Sequence, residues 1–353
     1  MREFKMSHAY GAITATSPLE KLTIQRRAVG QHDIKIDIAY CGVCHSDIHQ
    51  VRSEWEGTQY PCVPGHEIVG RVSEIGEHVS KFKIGDLVGV GCIVDSCRHC
   101  ADCEEGLENY CDNMIGTYNF PTPDAPGYTL GGYSQDIVVD ENYVLKIKHN
   151  EQQLAEVAPL LCAGITTYSP LRHWNAGPGK KVGIVGIGGL GHMGIKLAHV
   201  MGAYVVAFTT SESKKQEALS LGADEVVISK NANEMATHQR SFDLIVNTVA
   251  ASHNLDIYTQ LLKRDGTLTL VGAPASPHQS PNVMNLIMKR RSIAGSMIGS
   301  IVETQEMLDF CAEHNIVADI ELIAAKEINT AYERMLKGDI KYRFVIDNQT
   351  LTE

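Results

Sequence analysis

A chain of 353 residues is longer than the ~250–300 at which a single hydrophobic core stops growing, so two domains are expected. With 44% apolar and 21% charged residues and no low-complexity tract, the composition describes an ordered protein able to bury large cores. A formal charge of −11, with basic residues gathered only in short runs such as Lys289-Arg290-Arg291, excludes a nucleic-acid partner. No apolar stretch reaches the ~20 residues that span a bilayer, and the opening MREFKMSHAYGAI lacks a secretory h-region. A cytoplasmic protein with no membrane partner is expected.

Residues 1–150 carry short β-like runs broken by glycine, at Ile34–Ala39, Ile68–Ile75 and Leu87–Val90, and read as a β-rich domain. From about residue 155 apolar runs alternate with helical periods. The pattern predicts a strand at Lys181–Val185, a helix from Leu190, a strand at Tyr204–Phe208, a helix from Lys214 and a strand at Glu225–Ile228. Leu190, Met193, Leu197, Ala198 and Met201 recur at spacings of three and four, which gives that helix one apolar face. Further strands are expected at Asp243–Val249, Thr267–Val271 and near Ser292–Ile298, so this half is α/β, a doubly wound parallel sheet. The last of these strands would leave an apolar sheet edge, and a second copy of the chain is expected to cover it as a homodimer. A helix near Glu303–Glu313 and a strand at Tyr342–Ile346 close the chain, and no internal repeat is present.

Ten cysteines in a chain of this size point to metal or redox chemistry rather than to a disulfide framework. Cys97, Cys100, Cys103 and Cys111 form C-x2-C-x2-C-x7-C, a spacing at which turns can bring four thiolates round one tetrahedral zinc. Such a closed set is structural. Four cysteines alone leave an iron–sulfur cluster open. A second set is dispersed: Cys44 in CGVCHSDIH, His66 and Glu67 in PGHEIVG, and Cys162 in APLLCAGITTY. One imidazole and two thiolates leave the fourth position of a zinc ion for substrate, the arrangement of a catalytic site.

Gly186-Ile187-Gly188-Gly189-Leu190-Gly191 stands between a predicted strand and a predicted helix, the context in which G-x-G-x-x-G binds a dinucleotide. Gly186 permits the tight turn, Gly188 lets the backbone approach the pyrophosphate, and Gly191 allows close helix–strand packing.

Together, the C-x-x-C-H-S-D-x-H stretch followed by G-H-E, the four-cysteine loop and the glycine motif resemble the zinc-containing medium-chain alcohol dehydrogenases. Within that family the chain is most similar to the cinnamyl alcohol dehydrogenase branch, through Glu54-Trp55, the run Tyr60–Glu67, Gly131–Ser134, Cys162–Thr166, Ser296–Ser300 and Tyr342–Asp347. The resemblance covers nearly the whole chain. It implies a GroES-like catalytic domain at 1–154 and 296–353 and a Rossmann cofactor domain at 155–295. It further implies hydride exchange between small alcohols or aldehydes and a nicotinamide dinucleotide, with two zinc ions per chain. Carried over by position, Cys44, His66 and Cys162 would bind the catalytic zinc, with Glu67 as an occasional ligand. Asp47 would accept a hydrogen bond from His66, and Ser46 and His49 would relay the alcohol proton. Thr166 would lie near the nicotinamide. Trp55, Tyr118, Met297 and Ile298 could line an apolar substrate pocket, favouring aromatic or medium-chain primary substrates.

NAD-using dinucleotide folds carry an acid at the end of the second strand, about 20 residues after the first glycine. Here that place falls on Thr210. Thr209, Thr210 and Ser211 offer hydroxyls to a 2′-phosphate, and Lys214 or Lys215 offers charge, so NADP is the expected cofactor. Glu212 is the opposing sign. A zinc-free quinone or enone reductase, a polyol or secondary-alcohol dehydrogenase and a non-catalytic dinucleotide-binding protein are the competing readings.

Overall fold

Alternation of buried and exposed side chains decides the architecture of the first half of the chain. In the strand Asp33–Gly42, Ile34, Ile36 and Ile38 point to one buried side and Asp37 to solvent, the pattern of a strand with one covered face. This strand is the centre of a seven-stranded sheet. It pairs antiparallel with Ile68–Ile75, Asp136–Asp140 and Arg343–Asp347. Ile68–Ile75 continues to Leu87–Val90 and then Leu145–Lys146, and Ile320–Ala324 closes the far edge beside Arg343–Asp347. The tail from Gly299 thus completes the sheet begun by the N-terminal residues.

The computed structural model describes residues 5–274 and 276–352 and divides into two compact units, Met1–Cys162 with Gly299–Glu353, and Ala163–Ile298. The first unit is the β domain; the second is the parallel α/β domain. Its strands run parallel in the order Glu225–Ile228, Tyr204–Thr209, Lys181–Val185, Phe242–Asn247, Leu262–Leu270, Ser292–Gly295. Because helices cover both faces, its central strands do not alternate: Val182–Val185 and Val205–Thr209 are buried throughout. Val206, Phe208, Phe242, Ile245, Tyr258 and Leu268 form the core of this domain. The strand order reverses between Lys181–Val185 and Phe242–Asn247, the switch point at which such sheets bind ligands.

Boundaries differ from those expected at 154 and 296. The turns Leu154–Leu161 stay with the first unit because Leu154, Val157, Leu160 and Leu161 are buried against the strand Asp33–Gly42 and its neighbours. Ser296–Ile298 stays with the second, where Ser296 N donates to Leu270 O at 3.1 Å. Strands also end differently: the one expected to reach Val249 stops at Asn247, and the one expected to reach Ile298 stops at Gly295. Ile298 takes φ +41, which a strand cannot hold. Among the described residues, no helix is long and apolar enough to cross a membrane.

Candidate metal centres and dinucleotide site

Cys44 precedes the helix His45–Val51 in extended conformation, and its N–H donates to Asp47 Oδ2 at 2.9 Å, which caps the helix and fixes the thiol's direction. His66 follows Gly65 at φ +106; a Cβ there would meet Tyr133 Cδ1 at 2.7 Å and Cys41 Sγ at 2.8 Å, so only glycine permits the turn. Cys162 ends the buried turns Ala158–Leu161. These three elements bring the ligand atoms of Cys44, His66, Glu67 and Cys162 within 4.8 Å of one another, all buried. The Cys44 and Cys162 sulfurs are 4.0 Å apart. Two thiolates on a tetrahedral zinc at ~2.3 Å would be about 3.8 Å apart, so the set fits that ion.

Asp47, wholly buried, accepts from His66 Nδ1 at 3.2 Å, Gly65 N at 3.3 Å, Cys44 N at 2.9 Å and the Tyr133 hydroxyl at 3.0 Å. The contact to Nδ1 leaves His66 Nε2 as its ligand atom. A hydrogen bond with Cys162 holds the Cys44 thiol well below its ordinary value, against burial and with help from His66 and Arg343. Cys162 is pushed well up by the same bond, by Cys92 and by burial. Burial lifts Glu67 to about 7 although Arg343 opposes the shift. Arg343 Nη2 donates to Glu67 Oε1, whereas Glu67 Oε2 has no partner. A buried carboxylate oxygen with no donor is what a nearby cation would satisfy.

Ser46 Oγ lies 3.0 Å from Cys44 Sγ, and His49 Nδ1 is 2.5 Å from Glu54 Oε2. The His49 ring also faces Trp55, centroids 5.2 Å apart, and Trp55 is exposed. Tyr118 is buried with its ring 5.6 Å from His66. Met297, exposed, and Ile298 end the second unit.

Cys97, Cys100, Cys103 and Cys111 bring their sulfurs within 4.8 Å of each other, with Cys97 and Cys103 at 3.9 Å. Backbone N–H groups serve the sulfurs: Cys100 N to Cys97 at 3.3 Å and Asn113 N to Cys111 at 3.3 Å. The backbone bond from His99 draws Cys97 down to about 6. This set too matches a tetrahedral zinc, and it has no non-thiol member.

In the second unit Gly186 takes φ +91, and a Cβ on Gly191 would sit 1.9 Å from Gly186 O, so the turn and the helix Gly189–Val200 pack as closely as glycine allows. A Cβ on Gly188 would meet nothing within 4 Å, which leaves its backbone open to a ligand at the helix N-terminus beside Gly189 and Leu190. Thr166 Oγ1 is buried with no hydrogen-bond partner. At the end of the second strand Thr209 is buried and Thr210 exposed, and Ser211 Oγ lies 2.7 Å from Ser213 Oγ. Lys214 Nζ donates to Ile187 O at 2.8 Å, within the glycine turn. Lys215 pairs instead with Glu212 at 3.0 Å and Glu234 at 3.8 Å.

Residues 30–149 match the alcohol dehydrogenase GroES-like domain and residues 189–313 the zinc-binding dehydrogenase domain. Aldehyde reductase YahK of Escherichia coli strain K12 is 75% identical over 98% of this chain and 99% of its own. The chain belongs to the zinc-containing alcohol dehydrogenases. Among solved structures of this family, a cinnamyl alcohol dehydrogenase from Sorghum bicolor superposes with TM-score 0.94 at 42% identity, covering 98% of each chain. The cinnamyl alcohol dehydrogenase of Helicobacter pylori, complexed with NADP(H), superposes with TM-score 0.91 at 43% identity over 98% and 99% of the two chains.

For an alcohol dehydrogenase site built this way, sequence reasoning overlooked four residues. Arg343 lies in the run Tyr342–Asp347, but nothing near it in sequence points to Glu67. Tyr133 and Cys92 reach Asp47 and Cys162 only through the fold. Glu54 was readable: an acid in the turn just past the short helix that carries His49 can fold back onto it.

Proposed function

We propose that this alcohol dehydrogenase reduces primary aldehydes, aromatic or medium-chain, and oxidises the matching alcohols with NADP(H), at a zinc held by Cys44, His66 and Cys162. The observation that carries the reading is the buried set of two sulfurs and one imidazole, with Asp47 on the far side of His66. Three protein ligands leave one position for a substrate oxygen. Zinc bound there supplies a Lewis acid for the carbonyl and lowers the pKa of an alcohol, and the dinucleotide supplies or accepts the hydride.

The chain's own residues do the rest. Asp47 holds the His66 tautomer that presents Nε2. Arg343 keeps one oxygen of Glu67 occupied and compensates charge that would otherwise accumulate beside two thiolates. The Ser46 hydroxyl takes or returns the substrate proton, and His49, oriented by Glu54, exchanges it with water. Thr166 Oγ1 has a free hydrogen-bonding capacity suited to a cofactor amide or ribose. Trp55 and Tyr118 supply apolar ring surface for the substrate.

NADP is favoured over NAD because the strand end bears hydroxyls where an acid would repel a 2′-phosphate. Lys214 adds charge beside the glycine turn, and Lys215 neutralises Glu212. The H. pylori relative is described with NADP(H), in keeping with this. The working form is a cytoplasmic homodimer: among the described residues the edge strand Ser292–Gly295 has one neighbour, and Val283, Met284, Ile287 and Met288 are exposed just before it. Light scattering should give twice the 38.6 kDa chain mass. Initial rates with aromatic aldehydes, a ketone and sorbitol, each with NADPH and NADH, test the rest; a higher kcat/KM for sorbitol or with NADH would reject it.

A further inference from the structure

Each of the two cysteine-bearing sets is backed by a buried tyrosine whose hydroxyl stops one residue short of a ligand. At the dispersed set the chain runs Tyr133 Oη to Asp47 Oδ2 at 3.0 Å, and Asp47 Oδ1 to His66 Nδ1 at 3.2 Å. At the four-cysteine set it runs Tyr143 Oη to Ser96 Oγ at 2.7 Å, and Ser96 Oγ to Cys103 Sγ at 3.2 Å. Tyr133 is wholly buried and Tyr143 nearly so. We infer that Tyr133 and Tyr143 are positioning residues for metal retention, each acting on one zinc through one intermediary, Asp47 and Ser96 respectively.

The direction of each chain follows from its chemistry. A carboxylate only accepts, so the Tyr133 hydroxyl must donate to Asp47. With Cys44 N it occupies Oδ2, while His66 and Gly65 occupy Oδ1, so no acceptor site of this buried anion is left for a competing proton. The phenol is held rigidly: Tyr133 N donates to Pro64 O at 3.0 Å and Gly132 N to Gly65 O at 2.9 Å, so its backbone is laced to the turn that delivers His66. At the other set a phenol is a stronger donor than an aliphatic hydroxyl, so Tyr143 donates to Ser96 and leaves the serine proton for Cys103. Arg98, stacked 5.3 Å over the Tyr143 ring, holds that ring in place. Hydrogen bonds in series strengthen one another, so the tyrosine proton affects the ligand without touching it.

Partners that contact a metal ligand directly change metal affinity by about 10–100-fold, and groups one bond further out should act several-fold. The inference rests on the zinc reading above, and metal analysis before chelation separates the two: fewer than two zinc ions in the wild type would fail that reading. On the holoenzyme, zinc release to the chromogenic chelator 4-(2-pyridylazo)resorcinol is followed beside residual activity. The release phase that tracks activity loss reports the dispersed set, and the other reports the four-cysteine set. Tyr133→Phe should speed the first phase about 3–10-fold and leave the second within twofold, and Tyr143→Phe should do the reverse. A mere loosening of the fold would speed both phases in either variant and would overturn the proposal. So would unchanged phases in both, and a selective effect in one variant alone would overturn the role of the other tyrosine. Each variant carries its own reference phase, so if one fails to fold, the other still decides for its site.

Discussion

Replacing Asp47 by asparagine isolates what the carboxylate does, because the amide keeps its shape and loses one acceptor oxygen. Four donors converge on Asp47, two on each oxygen. If the amide nitrogen faced His66 and Gly65, two N–H groups would oppose it, and neither can reverse its role. If it faces the other side, the Tyr133 hydroxyl can rotate and accept one amide N–H, and the second amide N–H and Cys44 N–H are left facing each other without an acceptor. The second orientation is therefore adopted, and His66 keeps its acceptor. At ~1–3 kcal/mol for each orphaned buried donor, the two together cost roughly 2–6 kcal/mol. For a unit of this size that is a fall in Tm of about 4–24 °C. Losing the charge behind the imidazole should also weaken zinc binding by about 10–100-fold. Thermal unfolding by circular dichroism and competition with a chelator measure the two effects separately. An Asp47→Asn protein with wild-type Tm and zinc affinity would refute both the convergence of donors on this carboxylate and its action on His66.

Elemental analysis should find two zinc ions per chain, and Cys100→Ala should lower stability far more than it alters the turnover of protein that remains folded, because closed zinc sites couple to folding. Ser46→Ala should slow alcohol oxidation by ~10²-fold or more, with steady-state kinetics as the check and unchanged turnover removing the serine from the proton path. Thr210→Asp should raise KM for NADPH by at least about tenfold, since a carboxylate would face the 2′-phosphate; kinetics with both cofactors read this out. Burial pushes Cys311 up to about 12, so the folded state disfavours its thiolate. The stability this gives is complete below the unfolded pKa near 9 and is lost as pH rises from there toward 12, by about 1.4 kcal/mol per pH unit. Urea titrations between pH 8.5 and 11 should show a shallower loss for Cys311→Ala than for the parent.

How far the site could be read from sequence depended on the distance between its parts. Cys97, Cys100, Cys103 and Cys111 span 15 positions, and turns of that length bring thiols together whatever the rest of the chain does. The glycine turn is similar: Gly186 and Gly191 are five apart, and the close approach of a Cβ at Gly191 to Gly186 O is a local demand. Cys44, His66 and Cys162 are different. Their spacing alone predicts nothing, since the sheet that gathers them is completed by Arg343–Asp347 from the far end of the chain. Their residue types suggested a zinc site, and it was the resemblance that tied these three residues to one.

What stayed hidden was choice among chemically equal neighbours. Lys214 and Lys215 are adjacent and identical, yet one reaches the carbonyl of Ile187 and the other lies between Glu212 and Glu234. Nothing local separates them; the short helical turn Glu212–Lys214 sets which way each leaves the backbone. The same holds for Arg343, whose partner Glu67 is 276 positions away. A charged pair at that separation exists only once Arg343–Asp347, which carries Arg343, and Ile68–Ile75, which Glu67 immediately precedes, have paired with Asp33–Gly42 on either side of it. The Arg343–Glu67 pair beside the dispersed metal ligands is therefore a property of the sheet's register. A slip of one residue at Arg343–Asp347 would turn the guanidinium to the opposite face and leave Glu67 buried without its cation.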